Sequence, residues 1–401
     1  KNGDVEHDFA KDPINFVIED GKIIAKDTTL GADDGIGVAF GLAALADDRL
    51  KHPELEFVCT SDEERGMSGI ENFNFDMLKG ERVINIDSDD EGILVVGCAG
   101  GPVVRVELPI RRESTNKEKS YYEISVRGLR GGHSGEDIHR GRANANKLLV
   151  RVLMAIDNEV DFDLADIRGG VKYNAIPRNA AAVVAINKED EKRLEVIVRR
   201  YGDIFKDEYR INDPNILLSC SNVEAPEYIL DEASKTDVLD YINFSETGVI
   251  RRDMDYPQFV ESSVSLGVVS VKKSVAEIWI MTRSSKTTQF EMMYQKIVRL
   301  TERFGGTYEV MSNCPAWEYD ADSRLKEIFE NVYRDMYGKE PSFMILHAGV
   351  EPSEFAKNID RKLDMISLGP DVRDLHAPGE YVDIASTARV WKSFKRLLEA
   401  L

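Results

Sequence analysis

Short apolar runs and an apolar helix alternate in the first hundred residues. Residues 35–50 (GIGVAFGLAALADDRL) are predicted to form a buried helix, with Asp33 and Asp34 at its amino end, where the helix dipole favours negative charge. Residues 54–60 and 82–87 are predicted to be buried strands, and both lead directly into acidic residues. Strand, helix and strand in alternation predict a mainly parallel α/β sheet with its functional residues at the carboxyl ends of the strands.

The pattern changes after residue 101 to longer amphipathic segments. Glycines on both sides of His133 predict a turn at residues 131–135. Alternation of polar and apolar positions predicts strands, and a helical period predicts helices; the strands are residues 121–128, 180–186, 264–271 and 276–283, and the helices are residues 144–156, 189–201 and 289–304. Strands with helices laid on one face describe an α+β layer.

The carboxyl-terminal residues return to the first pattern. A helix is predicted near residues 323–337, a strand at residues 364–368, and a final helix with a core-facing stripe of Trp391, Phe394, Leu398 and Leu401. The chain is therefore predicted to have one domain split in sequence, residues 1–100 and 314–401, and a second domain inserted at residues 101–313.

Composition narrows the class of protein. A chain of 401 residues with 42% hydrophobic content has enough apolar residues for two buried cores. The net charge of -20 argues against nucleic acid and anionic lipid as partners. The amino end lacks a signal-peptide pattern, and no apolar stretch approaches the roughly 18 residues that span a bilayer. The four cysteines are far apart, which fits a reducing cytosol and indicates neither disulfides nor a thiolate zinc site.

Five side chains at the ends of predicted elements are candidates for a hydrolytic metal site. They are Asp33, Glu63, Glu64, Asp87 and His376. Carboxylate oxygens with an imidazole suit zinc, manganese or cobalt, and two such ions can activate a water and polarise a carbonyl group. Glu63 and Glu64 are neighbours in an extended segment, so that one could bind metal while the other acts as general base.

Each of these residues also has an ordinary alternative. Asp33 could be a helix cap, and Glu63 and Glu64 could be surface residues in a chain with 72 acidic side chains. His376 could be a solvated loop histidine. Asp87 is the least ordinary, because a carboxylate that ends an apolar strand must be paired or metal-bound if it is buried.

Six short motifs, in this order along the chain, resemble those of the aminoacyl-histidine dipeptidases, also called Xaa-His or cytosol non-specific dipeptidases, a family of cytosolic dizinc exopeptidases. The motifs are residues 28–35 (TTLGADDG), 60–64 (TSDEE), 131–135 (GGHSG), 174–177 (NAIP), 347–349 (HAG) and 376–378 (HAP). The resemblance extends over essentially the whole chain. It implies a zinc-peptidase catalytic domain over residues 1–100 and 314–401, with an inserted lid or dimerisation domain at residues 101–313.

The resemblance also implies roles for the five candidates. Asp33 would bridge two divalent ions, zinc by analogy, with manganese or cobalt as alternatives. Glu64 and His376 would complete one metal position, Asp87 would serve the other, and Glu63 would be the general base.

Further residues are implied to bind a small peptide substrate. His133 would reach a carbonyl oxygen, Arg283 would bind the terminal carboxylate, and Asn174 and His347 would help line the pocket. The glycine-rich segment around His133 could instead be a tight turn or an anion cradle, and Arg283 could belong to a surface ion pair. The family further implies a cytoplasmic homodimer.

One feature of the family is expected to be missing. Its members have a His-x-Asp motif on a strand before the segment with which this sequence opens, and the histidine of that motif binds the second zinc. His7 is followed directly by Asp8 and lies too late in the chain to substitute for it. The catalytic domain is thus expected to lack its first portion, the second metal position to be incomplete, and catalysis to be severely impaired if that portion is truly absent.

The expected activity is hydrolysis of unblocked dipeptides, Xaa-His among them. The alternatives are an N-acyl amino acid deacylase or carboxypeptidase that uses the same site, and a non-catalytic fragment or scaffold. A glycosidase with paired carboxylates is a more distant alternative, since that chemistry requires neither His376 nor Asp87.

Overall fold

The computed structural model describes residues 1–401, with the exception of the side chain of Arg65. The strands are β1 (Phe16–Glu19), β2 (Lys22–Ala25), β3 (Arg82–Asn85), β4 (Ile93–Cys98), β5 (Gly101–Pro109), β6 (Arg112–Ser114), β7 (Ser120–Arg127), β8 (Gly132–His133), β9 (Phe162–Gly169), β10 (Ala175–Ile176), β11 (Ala180–Ile186), β12 (Leu217–Asn222), β13 (Tyr228–Leu230), β14 (Gly248–Arg252), β15 (Val260–Val271), β16 (Val275–Ser284), β17 (Thr307–Cys314), β18 (Ser342–Leu346), β19 (Asp364–Ser367), β20 (Val372–Arg373) and β21 (Tyr381–Asp383). The α-helices are α1 (Ala32–Ala46), α2 (Ser68–Glu71), α3 (Ala145–Asp157), α4 (Glu191–Glu208), α5 (Glu232–Phe244), α6 (Thr287–Arg303), α7 (Arg324–Tyr337), α8 (Pro352–Asn358) and α9 (Ile384–Ala400).

The chain folds into two compact units. Residues 1–98 and 317–401 form one, here called the split unit, and residues 99–316 form the other, the inserted unit. These boundaries lie close to those predicted at residues 100 and 313, whereas the assignment of the units as catalytic and as lid or dimerisation domains stays a prediction.

The split unit contains two four-stranded sheets. One has the order β18-β4-β19-β3, in which β18 is parallel to β4 and β19 is parallel to β3, while β19 and β4 are antiparallel. The other has the order β1-β2-β21-β20 and is antiparallel. The predicted α/β class is therefore confirmed, with a mixed sheet at its centre.

Apolar side chains on both sides of the insertion build the core of the split unit. Cys98 and Trp317 form an isolated bridge and pack in one cluster with Phe355 and Met365. Phe394 of α9 stacks near Phe40 of α1, as expected for a core-facing position of the last helix.

The strand predicted at residues 54–60 is wrong as a secondary-structure assignment. This segment pairs with no strand among the described residues. Together with residues 82–87 it lines a cavity of about 670 Å³. The physical reason is that an apolar run becomes a strand only if a neighbouring strand satisfies its backbone groups.

The inserted unit is built on a nine-stranded sheet. Its strand order is β12-β7-β11-β9-β15-β16-β5-β17, and β14 pairs with β15. Helices α3, α4, α5 and α6 contact strands of this sheet and share one large apolar core with them. The α3 helix begins where predicted, because the Asn144 side chain accepts hydrogen bonds from the backbone N–H groups of Asn146 and Lys147. Across the part of the chain that the structure describes, no helix is both long and apolar enough for a bilayer crossing.

Candidate metal centre

Three of the predicted metal ligands converge in the split unit from distant parts of the sequence. The His376 Nε2 atom lies 3.1 Å from Asp33 Oδ2 and 2.8 Å from Glu64 Oε2. Potential ligand atoms of all three side chains lie within 4.8 Å of one another. One imidazole and two carboxylates at this separation form a donor set suited to a divalent cation such as zinc or manganese.

Local backbone geometry places these side chains. Gly31 has φ +73°, a left-handed conformation that glycine adopts at no steric cost, and it turns the chain into α1 just before Asp33. Glu64 lies in a single helical turn, residues 63–65, after Asp62 with φ +64°. His376 lies in the loop between β20 and β21 and itself has φ +60°. Left-handed conformations are uncommon for residues other than glycine and are concentrated at functional sites.

A fourth predicted ligand contacts the same cluster. Asp87 follows β3 and makes a hydrogen bond with Asp33. Burial, and then the negative charge of Asp34 and the hydrogen bond and charge of Asp33, together raise the pKa of Asp87 to about 9. Asp33 therefore interacts with His376 and with Asp87.

Other carboxylates crowd the same place. Burial, and then repulsion by Glu64 and Glu351, raise the pKa of Glu63 to about 7. Burial likewise raises the pKa of Asp34 to about 7, against the opposing effect of a hydrogen bond from the Gly37 N–H group. The accumulation of partly buried carboxylates has an energetic cost that bound cations would remove.

His376 has the one basic side chain in the group of three. Its partial burial alone would lower its pKa, but the carboxylates of Glu64 and Asp33 outweigh that effect and raise the pKa above its usual value. The ring is held by these two carboxylates, which is the orientation that a shared cation would require.

Sequence reasoning missed two acidic residues of this region. Glu351 accepts a hydrogen bond from the Thr60 hydroxyl at 2.6 Å and contributes to the raised pKa of Glu63. Glu380 is buried beneath the loop that carries Asp33. Glu380 follows the HAP motif by two residues, which was the available signal, but nothing in its residue type distinguishes it from the other acidic residues of the chain.

Three of the predicted substrate-binding residues meet in the inserted unit. A terminal nitrogen of Arg283 lies 3.5 Å from His133 Nε2, and the Ser134 N–H group donates to the Asn174 carbonyl oxygen at 2.9 Å. Arg283 is only 6% exposed, which excludes the alternative of an ordinary surface ion pair. Burial and the charge of Arg283 lower the pKa of His133, so its ring favours the neutral form.

His347 lies in the split unit. It follows β18 directly and is buried.

Comparisons with known proteins agree with this architecture. The chain is 35% identical to the cytosol non-specific dipeptidase of Escherichia coli (strain K12), over 100% of this chain and 82% of that protein. The crystal structure of aminoacylhistidine dipeptidase from Vibrio alginolyticus superimposes with a TM-score of 0.93 at 35% identity, over 100% of this chain and 82% of that one. Aminopeptidase PepT from Bacillus cereus shares the fold, with a TM-score of 0.50 at 15% identity over 96% of this chain and 76% of that one. Residues 124–213 match the family described as peptidase dimerisation domain.

A split α/β unit with a carboxylate–imidazole cluster, interrupted by an inserted unit with a dimerisation-domain match, defines the class of the metallopeptidases. Within that class, the chain belongs to the family of the aminoacylhistidine and cytosol non-specific dipeptidases.

Proposed function

We propose that this protein is a metal-dependent dipeptidase that hydrolyses the peptide bond of unblocked dipeptides, Xaa-His among them. Its membership of the dipeptidase family supports the reaction class. The observation that carries the proposal is the convergence of Asp33, Glu64 and His376 within 4.8 Å, because His376 is separated from Asp33 by 343 positions in sequence.

The proposed cofactor is a pair of divalent ions, zinc by analogy with the family. Asp33, Glu64 and His376 would hold one ion, and Asp87, next to Asp33, would contribute to the second position. When bound, such ions polarise a carbonyl group and lower the pKa of water.

Glu63 is the proposed general base. It lies beside Glu64 in sequence but outside the group of three ligands, so its carboxylate remains free to accept a proton from the attacking water and to donate it to the leaving amine. Its partly buried position raises its pKa towards neutrality, and a base with a pKa near the working pH transfers protons efficiently.

Most of the proposed substrate-binding residues belong to the inserted unit. Arg283 provides a planar guanidinium group that matches the terminal carboxylate of a peptide. His133 in its neutral form keeps one ring N–H group, which is proposed to donate a hydrogen bond to a carbonyl oxygen of the substrate. Asn174 and His347 are also proposed to contact the substrate. The match to a peptidase dimerisation domain supports a homodimer, and the name of the Escherichia coli relative supports a cytoplasmic location.

Metal content and peptide hydrolysis, measured on one set of variants, test this proposal. The intact gene product, purified and loaded with Zn²⁺ or Mn²⁺, is expected to hydrolyse Ala-His, to be inactive after chelation, and to prefer Ala-His over N-acetylalanine. His376→Ala is expected to lose bound metal and activity together, while the exposed histidine in His139→Ala serves as the matched control. A His376→Ala variant with the metal content of the wild type would contradict the assignment of the site, and preferential hydrolysis of N-acetylalanine would identify a deacylase instead.

A further inference from the structure

Glu380 is a buried carboxylate in the segment that follows the His376 loop. Its side chain is 2% exposed. Its two oxygens accept hydrogen bonds from four consecutive backbone N–H groups: Oε2 from Leu30 at 2.8 Å and Gly31 at 3.2 Å, and Oε1 from Ala32 at 2.8 Å and Asp33 at 3.4 Å. One side chain therefore binds the whole turn that leads into Asp33.

The backbone of the same segment makes two further contacts with the amino-terminal part of the chain. The Gly379 N–H group donates to the Thr28 carbonyl oxygen at 3.2 Å, and the Ala25 N–H group donates to the Glu380 carbonyl oxygen at 2.9 Å. The segment after His376 is thus joined to residues 25–33 by six hydrogen bonds, four of which are to the turn at residues 30–33.

We propose that Glu380 is a positioning residue for the metal centre, which fixes the Asp33 turn against the His376 loop so that both side chains are in place before a cation binds. This inference rests on the proposed function, because it assigns Asp33 and His376 to a metal. The physical basis is that a buried carboxylate is stable only if hydrogen bonds from the protein replace those it made with water. The four N–H groups of the turn in the same way need hydrogen-bond acceptors.

By holding the turn in place before metal binding, the Glu380 contacts are expected to increase the affinity for a cation. Asp33 Oδ2 and His376 Nε2 are 3.1 Å apart although the two residues are separated by 343 positions, and Glu380 binds the backbone of Asp33 from a position four residues beyond His376. If the turn were free, a cation would have to order it on binding, and the affinity would fall. Loss of a residue that supports metal ligands weakens metal binding by about 10–100-fold.

Glu380→Gln tests the proposal most sharply. The Gln side chain has nearly the same size, but its NH₂ group must face one of the two pairs of N–H groups, so donors would meet donors. The affinity of the purified protein for Zn²⁺ alone, measured by competition with a chromophoric chelator, is expected to fall by about 10–100-fold. Saturating Zn²⁺ is expected to restore part of the dipeptidase activity.

Glu354→Gln is the matched control. Glu354 belongs to the same unit and is also 2% exposed, but its carboxylate contacts Lys357 and Asn358 within its own helix α8. Its replacement is expected to leave Zn²⁺ affinity within about twofold of the wild type, whatever its effect on stability. An affinity loss in Glu380→Gln no larger than in Glu354→Gln would overturn the proposal.

A second pair of variants tests the turn without changing Glu380. Gly31 and Gly338 both have left-handed φ angles, +73° and +67°, and open space where a Cβ atom would lie. Gly31→Ala is expected to strain the turn and reduce Zn²⁺ affinity at least fivefold, whereas Gly338→Ala, at the end of α7, should not change it. Equal Zn²⁺ affinities for these two glycine variants would also count against the proposal. This comparison remains decisive even if Glu380→Gln fails to fold.

The outcomes separate this inference from the function on which it rests. If His376→Ala binds Zn²⁺ as tightly as the wild type, the metal assignment itself fails. If His376→Ala loses Zn²⁺ while Glu380→Gln and Gly31→Ala retain it, only the positioning role fails.

Discussion

Replacing Glu63 or Glu64, which are adjacent in sequence, by glutamine tests proton transfer and metal binding separately. Glu64 Oε2 lies 2.8 Å from His376 Nε2 and belongs to the group of three potential ligands, whereas Glu63 does not. Glu63→Gln is therefore expected to retain metal and lose catalysis, and Glu64→Gln is expected to lose metal. Both substitutions replace a carboxyl group of the same cluster by an amide of nearly equal size, so each is the control for the other.

The expected size of the Glu63→Gln effect follows from its proposed role. Loss of a general base lowers kcat by about 10²–10⁴-fold. At 1.36 kcal/mol for each factor of ten, this corresponds to an activation barrier higher by about 3–5 kcal/mol. Because Glu63 is outside the ligand group, its replacement should change Zn²⁺ affinity by less than about tenfold, whereas loss of the Glu64 ligand should weaken binding by more than about 100-fold.

The assay combines Ala-His hydrolysis at saturating Zn²⁺ with direct measurement of bound metal. Glu63→Gln should keep near-normal metal content and KM with a much lower kcat. Glu64→Gln should be nearly inactive at low Zn²⁺ and recover as Zn²⁺ is raised. A Glu63→Gln enzyme with wild-type kcat, or one that loses metal as Glu64→Gln does, would refute the division of roles.

Three further predictions concern the inserted unit. Leu153→Ala in α3, a fully buried position, should lower the free energy of unfolding in urea by about 2–5 kcal/mol, whereas Ile211→Ala, at a 72% exposed position, should change it by less than about 0.5 kcal/mol. Asp231 caps α5 through the Ser234 N–H group at 2.8 Å, so Asp231→Ala should cost about 0.5–2 kcal/mol at pH 7. Hydrogen bonds from Ser234 lower the pKa of Asp231 in the folded protein. The contribution of Asp231 to stability should therefore be fully present above its unfolded pKa of 3.8 and disappear as the pH falls through the lower folded pKa. A stability difference between wild type and Asp231→Ala that persists unchanged in acid would contradict this. Burial raises the pKa of the Cys220 thiol from 9.0 to about 11, so alkylation at pH 8, followed by mass spectrometry, should be slower there than at the exposed Cys59, and equal rates would contradict it.

The helices were predictable where periodicity and caps agree. The helix predicted over residues 144–156 is α3, and the one predicted over residues 323–337 is α7, whose cap Ser323 accepts a hydrogen bond from the Lys326 N–H group. These signals are local, so the sequence alone carries them. The strand predicted over residues 180–186 is β11, and its central place in the sheet explains its nearly continuous apolar run.

Residues 54–60 show the limit of that reasoning. Their composition is typical of a strand, yet strand formation depends on a neighbour whose presence composition does not reveal. The segment still brings Thr60 to the acidic cluster, three positions before Glu63.

The metal centre was only partly accessible from sequence for the same reason. Asp33, Glu64, Asp87 and His376 could be suspected from their positions at the ends of elements, but their contacts depend on tertiary structure. Glu380 could not be singled out, because its partners are backbone N–H groups up to 350 positions away and leave no trace in residue type.

Anomalous X-ray diffraction at the zinc edge, on crystals of the purified protein grown with Zn²⁺, tests the central claim most directly. A peak in contact with the side chains of Asp33, Glu64 and His376 is the predicted result. Two results would contradict this claim. One is an active protein in which zinc is bound by a different set of side chains. The other is a Zn²⁺-dependent enzyme whose crystals show no anomalous peak between these three residues.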